Sequence, residues 1–401
     1  MKEIAVLAFS GGLDTTYCAM HLSKDLGLEV HSVLVNTGGF GKEELADIEK
    51  KAYELGVTRH TAIDATHDFY DRCVRYLIFG NVLKNNTYPL SVSAERAFQA
   101  MAIADYAAKV NAKYIAHGST GAGNDQVRFD MVFGIICPQA QIITPIRDHK
   151  LSREEEIEYL KKHGVQRNWE KSRYSINKGI WGTSVGGKET LTSDQYLPEE
   201  AFPTQVTKSG TETLEITFEK GEPKGVNGKT YTHPVEAIQA IQQIAAPYGV
   251  GRDIHVGDTI IGIKGRVGFE AAAPMIVIKA HHALEKHVLT KWQLQLKDTL
   301  SPWYGNLLHE GHFLEPAMRN IEAFLQDSQQ HVSGTVKVHL APYHFHIIGI
   351  QSSHDLMANS FASYGEMNNG WSGEDVKGFA KVASIQGMIY SHVNGQTESV
   401  S

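Results

Sequence analysis

The stretch that decides the fold is Ile4-Ala5-Val6-Leu7-Ala8-Phe9-Ser10-Gly11-Gly12-Leu13-Asp14-Thr15-Thr16. An apolar run at residues 4–9 ends at a pair of glycines, which is the pattern expected of a short strand buried on both faces. Residues 14–26 predict a helix that stops at Gly27, and residues 30–35 predict a second strand. Strand, helix and strand in this span make a βαβ unit.

The alternation of strands and helices continues through the first part of the chain. The patterns predict helices at 42–55, 66–80, 91–110 and 153–163 and strands at 57–63, 114–116 and 142–146. Strands separated by helices favour a parallel sheet with helices on both faces. The predicted fold class is therefore α/β, with a doubly wound parallel sheet.

Beyond about residue 170 the pattern becomes typical of an α+β fold. Glycines are frequent at residues 179–187, which predicts a turn-rich stretch. Further on, the patterns predict strands at 213–219, 254–263, 334–340 and 345–350 and helices at 234–246, 275–298, 316–331 and 375–392. We therefore predict three parts, residues 1–167, residues 168–370 and a C-terminal helical tail of residues 371–401.

Composition excludes several classes of protein. The 401 residues carry 38 lysines and arginines against 45 acidic residues, a formal net charge of −7. An acidic chain is a poor candidate for binding nucleic acid, which needs clustered lysine and arginine. The three cysteines form no CxxC pair, which favours a reducing compartment. No apolar run reaches the roughly 18 residues that span a bilayer, so we expect a cytoplasmic enzyme without a membrane partner.

The glycine pair after the first strand predicts a phosphate-binding loop. Glycines let the backbone approach a phosphate, and the amides of a turn that enters a helix attract anions. The hydroxyls of Ser10, Thr15 and Thr16 add donors, and Asp14 can lie beside Mg²⁺. The alternative is a tight turn capped by aspartate. A second glycine stretch, residues 182–189, is one residue short of a Walker loop and follows no buried strand, so we assign it no nucleotide.

A second polar loop follows the predicted strand 114–116 and reads His117-Gly118-Ser119-Thr120-Gly121-Ala122-Gly123-Asn124-Asp125-Gln126-Val127-Arg128-Phe129-Asp130. It lies at the C-terminal end of a strand, where open α/β sheets bind ligands. Asp125 can hold an ammonium group and Thr120 and Asn124 a carboxylate. Arg128 lies one helical turn beyond Asn124. The alternative is a helix capped by asparagine or aspartate after a glycine turn.

Together the two loops resemble argininosuccinate synthase, a family of ATP pyrophosphatases. The family's loops read SGGLDTS and HGATGKGNDQVRFE, where this chain has SGGLDTT and HGSTGAGNDQVRFD. The resemblance implies arginine biosynthesis: the ureido oxygen of citrulline attacks the α-phosphate of ATP, and the amine of aspartate then displaces AMP. It also implies ATP with Mg²⁺ as substrate, no organic cofactor, and a homotetramer.

The resemblance also assigns roles along the chain. It implies an ATP-pyrophosphatase domain up to residue 167, then a synthetase domain, then a tail whose apolar stripe (Phe379, Val382, Ile385, Met388) contacts other subunits. The nucleotide would be bound by Ala8, Phe9, Ser10, Gly11, Gly12, Leu13, Asp14, Thr15, Thr16, Val35 and Gly118. Aspartate would be bound by Thr120, Asn124 and Asp125, and citrulline by Tyr88, Ser93, Asn124, Arg128, Ser175 and Ser184.

The far end of the implied citrulline pocket departs from the family. Where the family has a glutamate and a tyrosine that hold citrulline, this chain has Gly257 and Phe269. Two interpretations stay open: either Glu95 or Glu270 supplies the missing charge for ordinary citrulline, or the acceptor is a citrulline whose α-nitrogen is acylated. A buried ammonium without a counter-charge costs several kcal/mol, which motivates the second interpretation.

Two other classes of protein compete with this interpretation. One is a different ATP pyrophosphatase, such as a tRNA thiolase, GMP synthetase or NAD synthetase, acting on another acceptor. The other is a non-catalytic nucleotide-binding protein, which would not need Asp14, Asp125 and Arg128 together. His281-His282 and His344-Phe345-His346 lack a third ligand at suitable spacing, so no metal site is assigned.

Overall fold

The computed structural model of the chain describes residues 2–165, 167, 174–362, 364 and 370–395. The chain forms two compact units, Met1–His354 and Asp355–Ser401. Residue 168, where the second predicted domain begins, and residues 396–401 of the predicted tail lie outside the described residues.

A parallel sheet forms the N-terminal part of the larger unit. Its strands are β1 (Ile4–Ala8), β2 (Glu29–Asn36), β3 (Arg59–Asp64), β4 (Tyr114–Ala116) and β5 (Gln141–Ile143), in the order β3-β2-β1-β4-β5. Because side chains alternate between the faces of a strand, Val6 and Ala8 join one core cluster, and Leu7 and Phe9 join another. Both faces of β1 are therefore buried, and the predicted α/β class is confirmed.

Helices connect these strands. They are α1 (Leu13–Met20), α2 (Lys42–Glu54), α3 (Thr66–Phe69), α4 (Arg75–Phe79), α5 (Ser91–Lys109), α6 (Asp125–Ile136), α7 (Pro145–His149) and α8 (Arg153–Lys162). The predicted helix 14–26 is α1 followed by a π-helical turn, His21–Asp25. The predicted strand 142–146 ends early because Pro145 begins α7, where its fixed φ suits the first helical turn.

Two antiparallel sheets complete the larger unit. One contains β6 (Ser175–Gly179), β7 (Gly182–Gly186), β11 (Arg252–Asp258) and β12 (Lys264–Glu270), in the order β11-β12-β7-β6. The other contains β8 (Glu212–Glu219), β9 (Glu222–Val226), β10 (Lys229–Thr230), β13 (Gly334–Ala341) and β14 (His344–Gln351), in the order β10-β9-β8-β13-β14. The helices here are α9 (Pro234–Ala245), α10 (Ala272–Val288), α11 (Lys291–His309) and α12 (Pro316–Ser328).

Two predictions in this part were wrong in detail, and one strand, β12, was not predicted. The stretch predicted as turns forms the hairpin β6–β7, and β7 pairs with β12, a strand that the sequence pattern does not predict. The glycine stretch 182–189 is accordingly an antiparallel strand that leads into a 3₁₀ turn. The predicted helix 275–298 is two helices, because Thr290 caps α11 and accepts a hydrogen bond from the Gln293 amide.

The smaller unit contains α13 (Gly373–Ala383) and α14 (Ile385–Val393). They replace the single predicted helix 375–392 and meet at Ser384. The four residues of the predicted apolar stripe are all exposed. In the part of the chain that the structure describes, none of the helices combines the length and apolar character that a membrane span requires.

Candidate active site

The loops that follow β1 and β4 meet where the strand order of the parallel sheet reverses. Open α/β sheets bind ligands at this point, because the chain leaves the two neighbouring strands toward opposite faces. A cavity of about 1330 Å³ opens there and extends to β6, β7, β11 and β12. Every predicted site residue lines this cavity except Gly11 and Thr16.

The loop between β1 and α1 has the geometry of an anion site. Gly11 has a φ of 75°, a left-handed conformation that favours glycine. Gly12 precedes α1 without a side-chain cap, so the first amides of the helix have no intrahelical partner. Thr15 Oγ1 donates to the Gly12 carbonyl at 3.3 Å, which closes the loop. Thr16 is fully buried and does not line the cavity. This differs from the prediction that its hydroxyl is a donor to the nucleotide.

The second loop packs directly against the first at Gly118. A Cβ atom at residue 118 would lie 3.1 Å from the Cβ of Asp14, a tighter contact than most side chains make, so this approach favours glycine. His117 holds the start of the loop: its Nδ1 accepts from the Ser119 amide at 3.2 Å, and its Nε2 donates to Asp130 at 2.9 Å. The two loops are therefore fixed against one another.

Asp14 is in contact with a second carboxyl group, that of Glu156 in α8. Glu156 is buried, and its carboxyl group faces that of Asp14 closely enough for the two charges to interact. Burial and the adjacent Asp14 charge raise the pKa of Glu156 to about 8, and burial also raises the pKa of Asp14. The pair therefore holds one proton near neutral pH.

Asp125, at the start of α6, is bound by two arginines. Arg96 Nε donates to its Oδ2 at 2.9 Å, and Arg128 Nη1 donates to its Oδ1 at 2.9 Å. Burial acts to raise the pKa of Asp125, but the two guanidinium groups outweigh it and lower that pKa. The carboxylate is therefore ionised at neutral pH. Beside it, Asn124 Oδ1 accepts the Ile260 amide at 2.9 Å and so ties the turn between β11 and β12 to this loop.

Arg128 also binds the end of α11. Its Nε and Nη2 donate to the carbonyl oxygen of His309 at 3.0 Å and 2.8 Å, where a helix C-terminus favours a cation. Burial, and then the charge of Arg128, lower the pKa of His309 to about 3, so its imidazole is neutral. Ser93 Oγ lies 3.1 Å from the Nδ1 of that ring.

The remaining residues predicted to bind citrulline line other parts of the wall. Ser175 and Ser184 lie on the adjacent strands β6 and β7; the first is exposed and the second is buried. Tyr88 stacks on the ring of His255 with centroids 5.3 Å apart. The buried ring of Phe269 lies 5.5 Å from that of Tyr88.

The imidazole of His255 lies beside Gly257, at the departure from the family. A Cβ atom at residue 257 would lie 2.6 Å from His255 Nε2. Burial, and then the charge of Lys84, lower the pKa of His255, so this ring is neutral as well. Glu270 does not line the cavity, and its carboxylate accepts from Arg252 at 3.2 Å.

Sequence reasoning missed Arg96, His255 and His309 as cavity residues. The pair Glu95–Arg96 inside an apolar helix is a signal for Arg96, because charged residues are rarely buried unless paired. The two histidines carry no local signal, since each reaches the cavity through packing between distant elements.

Histidine, cysteine, aspartate and glutamate are the side chains that most often hold metal ions in proteins. No group of three or more of these residues within the described ranges is placed to hold an ion. His281 is a core residue: its Nδ1 lies 2.7 Å from Asn81 Oδ1, and its Nε2 lies 2.8 Å from Gln329 Oε1.

Comparison with known proteins covers nearly the whole chain. Residues 4–166 match the family described as arginosuccinate synthase N-terminal HUP domain, and residues 174–390 match the arginosuccinate synthase C-terminal domain. The argininosuccinate synthase of Methanocaldococcus jannaschii is 37% identical over 393 residues, 97% of this chain and 98% of that protein. That of Dictyoglomus thermophilum is 35% identical over 400 residues, 99% of this chain and 100% of that protein. The chain therefore belongs to the argininosuccinate synthase family.

Proposed function

We propose that the protein catalyses the ATP-dependent ligation of citrulline, or of an N-acylated citrulline, with aspartate, which yields argininosuccinate or its N-acylated form together with AMP and pyrophosphate in arginine biosynthesis. One observation carries the proposal: the loops at residues 10–12 and 118–123 meet at a single cavity that Asp125 and Arg128 also line. An anion site and an ammonium site thus stand side by side. The names of the similar proteins support the same reaction.

ATP, as its Mg²⁺ complex, is the nucleotide substrate in this proposal. The amides of residues 10–12 and of the first turn of α1 would bind its phosphates. Mg²⁺ prefers oxygen ligands, and Asp14, Ser10 and Thr15 offer oxygen atoms on or near the cavity wall. These residues would hold the triphosphate in place and balance its charge.

Catalysis would rest on positioning rather than on a covalent enzyme intermediate. The ureido oxygen of citrulline attacks the α-phosphate of ATP, the bond to pyrophosphate breaks, and citrullyl-AMP forms. The amine of aspartate then displaces AMP. Asp125 would bind the ammonium group of aspartate, and Arg128 the ureido end of citrulline. The barriers to these two steps would be lowered because the reactants are held in line and because charged groups lie where charge develops.

The surroundings of Gly257 favour an acceptor whose α-nitrogen is uncharged. Neither acid offered by the sequence as a replacement is free: Glu270 binds Arg252, and Glu95 binds Arg96. The neutral ring of His255 stands beside Gly257 instead. The neighbouring Asp258 also lines the cavity but pairs with Lys264 at 2.7 Å. An ammonium group beside Gly257 would therefore lack an unpaired counter-charge, whereas the amide of an N-acylated citrulline needs none. We therefore propose N-acylated citrulline as the preferred acceptor.

Two measurements test the proposed ligation and the proposed acceptor: the products formed from ATP, and the preference among acceptors. Purified protein is given ATP, Mg²⁺, aspartate and one of citrulline, N-acetylcitrulline or N-succinylcitrulline. AMP and pyrophosphate formed in an aspartate-dependent way support the ligation, and unchanged ATP with every acceptor contradicts it. A tenfold or greater preference in kcat/KM for an acylated form, about 1.4 kcal/mol, supports acylation. A clear preference for free citrulline contradicts it.

A cytoplasmic homotetramer is the proposed state of the protein. Phe379 and Met388 in the smaller unit are 74% and 65% exposed, and such apolar surface favours contact with another subunit. The three cysteines are buried and free, which suits a reducing compartment. Deleting residues 371–401 should produce smaller species in light scattering; an unchanged mass would contradict this role of the tail.

A further inference from the structure

Glu95 is a buried acid on the cavity wall that the reaction described above does not use. It lies in α5 and is 1% exposed. Its Oε2 accepts a hydrogen bond from Thr37 Oγ1 at 2.8 Å, and its Oε1 accepts one from Arg96 Nη1 at 3.3 Å. Gly179 of β6 approaches Oε2 so closely that any side chain there would overlap it. Three parts of the chain, namely α5, the residue that follows β2, and β6, thus fix the position of this carboxyl group.

Arg96 connects Glu95 to Asp125. The same guanidinium group donates from Nη1 to Glu95 and from Nε to Asp125. Burial raises the pKa of Glu95 to about 7, although Arg96 and Thr37 oppose the rise, whereas the pKa of Asp125 is lowered. When neighbouring acids have pKa values pushed apart, one remains charged while the other exchanges a proton near neutral pH.

Few other charges face Glu95. Arg96 lies on its own helix, and Asp125 approaches from α6. The strand β6 contributes Gly179 at the contact, with the exposed Lys178 beside it. The residue that approaches from the end of β2 is uncharged. The proton affinity of Glu95 therefore depends mainly on burial and on one arginine.

The second step of the proposed reaction needs a proton acceptor. Aspartate arrives with an ammonium group, whose nitrogen has no free electron pair until a proton leaves. Asp125 would bind that group but its lowered pKa makes it a weak base. The neutral His309 already contacts Ser93 and, with a pKa of about 3, is a weak base as well. We propose that the carboxylate of Glu95 accepts this proton, with Arg96 holding it beside Asp125. This inference rests on the proposed ligation.

In this step a proton passes from the ammonium nitrogen of aspartate to Glu95. An N–H bond of the ammonium breaks and an O–H bond forms on Glu95, which becomes a carboxylic acid. The freed electron pair forms the bond to the ureido carbon, and the carbon–oxygen bond to AMP breaks with its electron pair. The same nitrogen then loses a second proton to the phosphate of the departing AMP, which leaves the product guanidinium. Glu95 later releases its proton to solvent.

The variant Glu95→Gln tests this role. Citrulline-dependent exchange of pyrophosphate into ATP, without aspartate, measures the first step alone and shows that the variant is folded. We expect this exchange to stay within about threefold of wild type, and the aspartate-dependent single-turnover rate to fall about 10²–10⁴-fold. The wild-type rate should rise with pH through about 7 as Glu95 deprotonates. This rise to a plateau is the acidic limb of the pH–rate profile. In the variant the limb should be absent, and the residual rate should increase in proportion to hydroxide without reaching a plateau.

Two further variants separate a proton-accepting role from a structural one. Thr37→Val removes a hydrogen bond that lowers the pKa of Glu95, so the acidic limb should move to higher pH while the high-pH rate is kept. Glu44→Gln neutralises another acid that lines the cavity and should leave the limb unmoved.

The outcomes distinguish this inference from the proposed function. Equal losses in exchange and in the aspartate-dependent step, or an acidic limb retained in Glu95→Gln, would overturn the role of Glu95. Wild-type protein that shows no exchange with citrulline or its acylated forms would instead contradict the ligation itself.

Discussion

Replacing Glu156 by glutamine should remove a pH-dependent loss of stability at the loop between β1 and α1. The pKa of this carboxyl group rises from an ordinary 4.5 to about 8, because it is buried and faces Asp14. Between those values the folded chain holds a proton that the unfolded chain has lost. The free energy of unfolding therefore falls as the pH rises through this interval, and the loss is complete above about pH 8.

The magnitude follows from the same two values. Each pH unit between them costs about 1.4 kcal/mol, so the wild type loses roughly 3–5 kcal/mol across the interval. Glutamine at 156 can still donate to Asp14 but does not titrate. From pH 5 to pH 8.5 we therefore expect the wild-type Tm to fall about 5 °C further than that of Glu156→Gln.

The assay is a series of thermal unfolding curves at fixed ionic strength and varied pH. Glu158→Gln is the matched control, because Glu158 lies on the same helix but is exposed and pairs with Lys162 at 2.8 Å. The control should retain the wild-type dependence of Tm on pH. If the Tm of Glu156→Gln and the Tm of the wild type depend equally on pH, Asp14 and Glu156 do not share a proton in the folded protein.

Three further predictions concern the two loops. Asp14→Asn should keep the fold but reduce pyrophosphate release at least about 100-fold by weakening the placement of Mg²⁺ and ATP; wild-type turnover would show that the loop is only a turn. Gly118→Ala places a methyl group 3.1 Å from the Cβ of Asp14 and should raise the KM for ATP about tenfold or more. The control is Gly123→Ala, which should not change this KM because a Cβ atom at residue 123 meets nothing within 4 Å. Asp125→Asn should spare citrulline-dependent pyrophosphate exchange and raise the KM for aspartate at least about tenfold; loss of the exchange would show that the loops do not divide the substrates in this way.

The parallel sheet and its two loops could be predicted from the sequence because their signals are local. The run at residues 4–9 is apolar throughout since both faces of β1 are buried. Glycines follow both β1 and β4. After β1 they leave room for a phosphate to approach the backbone, and after β4 Gly118 packs against Asp14. Parallel strands bring these two ends to one edge of the sheet, so the cavity follows from the pattern.

The far wall of the cavity could not be predicted, because it depends on contacts between distant elements. The hairpin β6–β7 is short and rich in glycine, and it is positioned by pairing with β12. His309 reaches the cavity through Arg128, a contact between residues 181 positions apart. Likewise, the sequence around Glu156 indicates only a helix start at Ser152, and its approach to Asp14 appears only in three dimensions.

The double contact of Asp125 with Arg96 and Arg128 has a consequence for how a zwitterion would bind. The ammonium group of aspartate would replace a guanidinium as the partner of Asp125, and a carboxylate of aspartate would pair with the guanidinium so released. Binding of this kind is an ion exchange in which the ammonium group and one carboxylate of aspartate take over partners that were already paired with each other. Because the exchange leaves Asp125 and both arginines paired before and after binding, aspartate affinity measured by calorimetry should vary little between low and high salt.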